Sequence, residues 1–217
     1  VAPILGAAAF GLIIIFERVK TILLDYSFPQ AEVFLEKIKY LIMADRVSEA
    51  VGLCEHLKHK PVVRVALEGL LRADQAEGVI EDGLKIAVGE LTEKIGERIY
   101  YLSTIANVST LFGLFGTIIG LVQSFEAVGG ANAQERASLL AQGISTAMNA
   151  TLMGLGVAIP CMIAFSFLTA RSNKLISEVD RTAVKVLDLL KQRYYSWASA
   201  QDDFDKRRRN AVGGSIA

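Results

Sequence analysis

Charged residues are absent from residues 99–125 and again from 137–170, and only Glu126, Glu135 and Arg136 separate the two runs. Each run exceeds the roughly 20 apolar residues that cross a hydrocarbon core of about 30 Å. Inside lipid a segment must satisfy its own backbone amides, so both runs are predicted to be helices. A third apolar stretch, residues 2–16 (APILGAAAFGLIIIF), leads into the charged Glu17-Arg18-Val19-Lys20. No small-residue cleavage site follows it, so it reads as a membrane helix rather than a signal peptide. Because the chain opens on Val1, that helix is expected to be incomplete at its N-terminus.

The region between the first and second apolar stretches has helical periodicity. Phe34, Ile38, Leu41 and Ile42 share one face of a helix that Pro29 opens and that ends near Met43. Asp45 is the predicted N-cap of the next helix, which ends near the cluster from His56 to Lys60. Pro61 suits a first helical position, with Val62, Val65, Ala66, Gly69 and Leu70 as the buried stripe that follows. From Glu77 the pattern reads as one helix to Val128, weakened but not stopped by Gly83, Gly89 and Gly96. After the turn at Gly129-Gly130-Ala131-Asn132, a helix is predicted from Gln134 past Ala170. The stripe of Ile176, Val179, Ala183, Val186, Leu187 and Leu190 carries it to about Trp197.

The expected fold is therefore an all-α membrane protein with three transmembrane helices, two of them long and extending into a cytoplasmic helical domain. The segments are 1–19 (first transmembrane helix), 20–98 (cytoplasmic helical region), 99–128 (second transmembrane helix) and 129–136 (periplasmic turn). They continue with 137–170 (third transmembrane helix), 171–199 (cytoplasmic helical extension) and 200–217 (an aperiodic, flexible tail).

Charge sets the topology. Residues 17–98 carry 12 Lys/Arg and 15 Asp/Glu, residues 99–170 carry one and two, and residues 171–217 carry ten and six. The loop between the two uncharged runs has a single Arg, so the charged blocks are expected in the cytoplasm and the N-terminus outside. A net charge of zero gives no basic excess for nucleic acid. The Lys206–Arg209 run reads as a solvated end or a touch-point for anionic lipid. Cys54 and Cys161 lie in a charged segment and a membrane helix, which excludes a disulfide framework. His56 and His59 lack a paired nucleophile or metal-ligand spacing, which argues against an enzyme.

Polar residues inside the runs carry the functional signal. Ser103, Asn107, Thr110, Gly113, Thr117, Gly120 and Ser124 recur every three or four residues, on one face of the second membrane helix. Leu102, Ile105, Phe112, Phe115, Ile119 and Val122 form the opposite face, expected against lipid or an apolar partner. The third helix is polar on two faces, one with Ser138, Gln142, Ser145 and Asn149, the other with Ala147, Thr151, Gly154 and Ala158. Such a helix has two neighbours, or one neighbour and an aqueous lumen. Neither run holds an ionisable residue, so an ion relay here needs a carboxylate from another chain. The alternative is a non-conducting membrane scaffold whose polar stripes only pack helices.

The segments LFGLFGTIIGLVQSF (111–125) and GISTAMNATLMGLGVAIP (143–160) resemble the ExbB/TolQ/MotA family of ion-driven motor subunits, nearest its ExbB and TolQ branch. PILG near the start, the FERV segment and DRVSEAVGLCEHLKHKPVVRVALEGL extend the resemblance over most of the chain. It implies a homopentamer in the bacterial inner membrane around two copies of an ExbD- or TolR-like partner, whose single span carries one aspartate. Ion flow, H+ or Na+, then drives mechanical work in energy transduction, envelope maintenance or gliding, with no cofactor. The family's two pore-lining threonines match Thr117 and Thr151. Thr146, Ser145, Asn149 and Thr110 complete the expected pore lining, Thr146 standing where the nearest relatives have Glu.

Overall fold

A computed structural model describes residues 2–26, 28, 30–130 and 132–213, with side chains through Ser196 apart from those of Ala2 and Ala133. The expected roles of Pro29 and Ala131, and residues 214–217 of the expected tail, lie outside the described residues. Seven α-helices follow in order: α1 (Ala2–Lys20), α2 (Ala31–Met43), α3 (Val47–Glu55), α4 (Pro61–Leu70), α5 (Glu77–Gly96), α6 (Ile99–Gly129) and α7 (Ala133–Gly213). One π-helical turn, Thr21–Asp25, follows α1. No strand occurs among the described residues. The segments Glu77–Gly129 and Gln134–Ser196 are long and apolar enough to cross a membrane.

The chain divides into two compact units. One holds α1, α6 and α7 as far as Asn173; the other holds residues from Asp25 to Ile95 and α7 from Lys174.

The second unit is built as its periodicity predicts. Phe34, Ile38, Leu41 and Ile42 of α2 are buried, as are Val62, Val65, Ala66, Gly69 and Leu70 of α4, with Pro61 in the first helical turn. From α7, Val179, Ala183, Val186 and Leu190 are buried in the same unit. Gly69 marks the tightest approach: a Cβ there would stand 2.8 Å from Val186 Cγ1 and 3.1 Å from Leu84 Cδ2. Lys191 pairs with Glu77 at 2.6 Å, and the Lys60 ammonium donates to the Asp25 carbonyl at 2.8 Å.

Asp45 is not an N-cap. It follows the C-terminus of α2 with φ 58°, its N–H bonded to the Ile42 carbonyl and that of Arg46 to the Leu41 carbonyl. That pair of bonds is the Schellman closure of a helix end, in which the left-handed position falls to Gly or, less often, a short polar residue. The Asp45 carboxylate is instead bound by Arg193, which also reaches Asp74.

The helix expected without interruption from Glu77 to Val128 breaks. It stops at Gly96, and Arg98 takes φ 61° before α6 begins. The periodicity is nearly unbroken there, and two long-range ion pairs meet at the break. Arg98 bonds Glu17 at 2.7 Å, and Arg18 pairs with Glu97 at 3.5 Å.

In the first unit α1 packs on α6, burying Ile4, Ile14 and Arg18. Leu102 and Ile105, expected against lipid or an apolar partner, are buried, and α1 supplies that partner over the lower part of the face. A Cβ on Gly11 would lie 3.6 Å from Ile105 Cγ2. Phe115, Ile119 and Val122, farther along that face, are exposed.

α7 is helical through Pro160 and on to Gly213, past the expected end near Trp197. A proline ring clashes with the carbonyl four residues back. Here that residue is Gly156, whose backbone has the latitude to adjust. Residues 198–212 contain neither Gly nor Pro and are rich in Ala, Asp, Lys and Arg. Composition of that kind sustains a helix without an apolar stripe, apart from a modest cost at Asp.

Candidate functional site

The site grows from a seam of small residues. Ser109, Gly113, Gly120 and Ser124 of α6 are buried, as are Ala147, Gly154 and Ala158 of α7. A Cβ on Gly113 would lie 3.3 Å from the Cα atoms of Thr151 and Gly154, and one on Gly120 would lie 3.0 Å from Ala147 Cβ. One on Gly116 would meet Ala150 Cβ at 2.6 Å, and one on Gly143 would collide with the Ser124 hydroxyl. Glycine lets two membrane helices touch backbone to backbone, where packing rather than hydrophobic exclusion drives association.

That contact brings the two family-matched threonines to one turn of α6. Thr117 donates its hydroxyl to the Leu114 carbonyl at 2.6 Å. Thr151 reaches across the seam and donates to the Gly113 carbonyl at 3.4 Å, a long bond. Both side chains are half-buried, and their donors end on consecutive carbonyls. A hydroxyl whose proton is given to a carbonyl keeps its lone pairs as acceptors. The pair therefore offers acceptor oxygens to a cation, a hydronium ion or a protonated carboxyl group.

The other expected residues divide. Thr110 is exposed, bonded to the Ala106 carbonyl at 3.0 Å, and lines a groove of about 180 Å3 with Asn107, Leu155, Ile159 and Met162. Thr146 is exposed and bonded to the Gln142 carbonyl at 2.9 Å. Ser145 and Asn149, four residues apart on one face of α7, are exposed as well. Within this chain, α7 thus buries one of its two polar faces on α6 and leaves the other open. The predicted stripe on α6 splits likewise: Gly113, Gly120 and Ser124 enter the seam, while Asn107 and Thr110 stay outside it.

Sequence reasoning missed Ser109, which is fully buried with no hydrogen-bond partner for its hydroxyl. Its spacing of four from Gly113 was the available signal. Among the described residues no cluster of His, Cys, Asp and Glu could hold a metal ion.

Residues 56–181 match the MotA/TolQ/ExbB proton channel family. The chain is 36% identical over 103 residues to the Tol-Pal system protein TolQ of Haemophilus influenzae, covering 46% of this chain and 45% of that one. It is 30% identical over 187 residues to a putative biopolymer transport protein, ExbB-like 3, of Synechocystis, covering 81% of this chain and 84% of that one. With the biopolymer transport protein exbB1 of Vibrio cholerae it shares 24% identity over 185 residues, covering 83% and 79%. The chain spans about half the length of the TolQ relatives it matches. A membrane protein with two long apolar helices, it belongs to the MotA/TolQ/ExbB proton channel family, a family of channels rather than enzymes.

Proposed function

We propose that this chain is the stator subunit of a proton-driven motor, working as a homopentamer around two copies of a single-span partner that carries a membrane aspartate. Three helices span the inner membrane: α1, the apolar part of α6 and the apolar part of α7. The charged blocks face the cytoplasm, and the N-terminus lies in the periplasm. The observation that carries this reading is the convergence of Thr117 and Thr151 on the Gly113 and Leu114 carbonyls. In two runs without an ionisable side chain, that pair presents acceptor oxygens at one level, and the partner supplies the group that titrates. Protons pass by way of the partner's carboxyl group, received in its neutral form by hydroxyl lone pairs. The exposed Ser145, Thr146 and Asn149 border the lumen, and Thr110 lines the cytoplasmic side of the path.

The test is Thr117→Val and Thr151→Val, each of similar volume but lacking the hydroxyl, in complexes purified with the partner. Assembly stays pentameric by native mass measurement. Proton uptake falls roughly tenfold, the factor that about 1.4 kcal/mol of lost hydrogen bonding makes in a rate. Variants that assemble and conduct like the parent overturn the reading in favour of a scaffold.

A further inference from the structure

Four charges sit where α1 ends and α6 begins. Glu17 and Arg18 are consecutive on α1, and Glu97 and Arg98 are consecutive at the break before α6. They are linked by a chain of three pairs. Glu17 binds Arg98 at 2.7 Å, Arg98 Nε meets Glu97 at 3.2 Å, and Glu97 binds Arg18 at 3.5 Å. Arg18 is only 5% exposed.

Arg98 is one of two non-glycine residues with positive φ among the described residues. Asp45, the other, is a residue type that tolerates the left-handed region; arginine has no such preference. A strained backbone persists only when its surroundings hold it, and strain of this kind gathers at places with a mechanical task. What holds Arg98 is the ion-pair quartet.

We infer that the Glu17–Arg98 and Arg18–Glu97 pairs fix the rotation of α6 about its own axis, making Arg98 a positioning residue for Thr117. The inference rests on the reading of Thr117 as part of the ion path. Thr117 lies eighteen residues beyond the start of α6, about 27 Å along a helix rising 1.5 Å per residue. A helix turns 100° per residue, so a rotation set at its first residue carries to every side chain along it. α1 provides the fixed reference, because Gly11 lies against Ile105 in the second turn of α6.

The experiment reads that register without ion flow, so its failure and failure of the ion-path reading are separate results. In a chain with Cys161→Ala and Cys54→Ala, Gly11→Cys and Ile105→Cys are introduced and the rate of oxidative cross-linking is measured. Arg98→Gly keeps the left-handed backbone but removes both of its ion pairs. It is expected to slow cross-linking roughly fivefold. Glu17→Arg with Arg98→Glu re-forms the 17–98 pair and restores most of the rate. In complexes with the partner, proton uptake follows the same order. Arg98→Gly that cross-links at the parental rate overturns the inference, because backbone shape alone then sets the register. So does a charge exchange that stays as slow as Arg98→Gly.

Discussion

Gly11 of α1 rests against Cys161 of α7, and a Cβ built on Gly11 would stand 3.0 Å from the Cys161 sulfur. In a disulfide, a Cβ lies at about that distance from the far sulfur. Gly11→Cys is therefore expected to oxidise to an intrachain bridge with Cys161. A faster band on a non-reducing gel, loss of both thiols to alkylation, and reversal by Cys161→Ala would establish it. Failure to bridge under catalysed oxidation would place α1 elsewhere.

Gly154 separates seam packing from general helix propensity. A Cβ there would lie 2.7 Å from the Ser109 carbonyl oxygen and 2.9 Å from Gly113 Cα, both backbone atoms that cannot rotate away. Gly154→Ala should destabilise the first unit by about 1–3 kcal/mol, the usual cost of overpacking. Gly89, inside α5 with nothing within 4 Å, makes the control. Gly89→Ala should be neutral or stabilising by up to about 1 kcal/mol. Thermal unfolding in detergent distinguishes the two.

Arg193 binds Asp45 at 2.9 Å and Asp74 at 3.3 Å, joining two corners of the second unit to α7. The guanidinium is 25% exposed and the carboxylates far more, so each pair contributes at most about 1 kcal/mol. Arg193→Ala should raise amide exchange at residues 44–47 and 72–76 together. Asp74→Asn should raise it at the second corner only. Exchange confined to one corner in the Arg193 variant would contradict the shared clamp.

Burial pushes the Cys54 thiol up to about 12. The thiol therefore stays protonated in the fold while the unfolded chain ionises nearer pH 8.5. Its contribution to stability is complete below that pH and is lost as pH rises towards 12. At pH 8, iodoacetamide should modify Cys54 only as fast as the second unit opens, and Cys54→Ala should flatten the alkaline limb of the stability profile. Rapid alkylation of the folded protein would show that α3 leaves this thiol accessible.

Periodicity located the α2 stripe to the residue and every position expected on α4, missing only that the adjacent Val63 is buried as well. It left open whether Leu102 and Ile105 meet lipid or an apolar partner, because no local pattern marks their contact with α1. The break at Arg98 was hidden for the same reason, since its partner Glu17 is 81 positions away in the chain. Asp45 was misread through residue type: aspartate serves both at the start of a helix and just past its end, and only the backbone decides. At the candidate site the threonines were legible from spacing and resemblance. Their common destination on two neighbouring carbonyls required the glycine seam, because Thr151 reaches Gly113 only where no side chain keeps the helices apart.

The hydroxyls along the apolar runs bear on how such a protein is made. Thr110, Thr117, Ser124 and Thr146 each donate within their own helix, to the carbonyls of Ala106, Leu114, Gly120 and Gln142. Each hydroxyl so bonded lowers the barrier to leaving the translocation machinery for lipid, where every open donor costs free energy; the unpartnered Ser109 hydroxyl is an exception on α6. These four hydroxyls therefore ask nothing of a neighbouring helix during insertion.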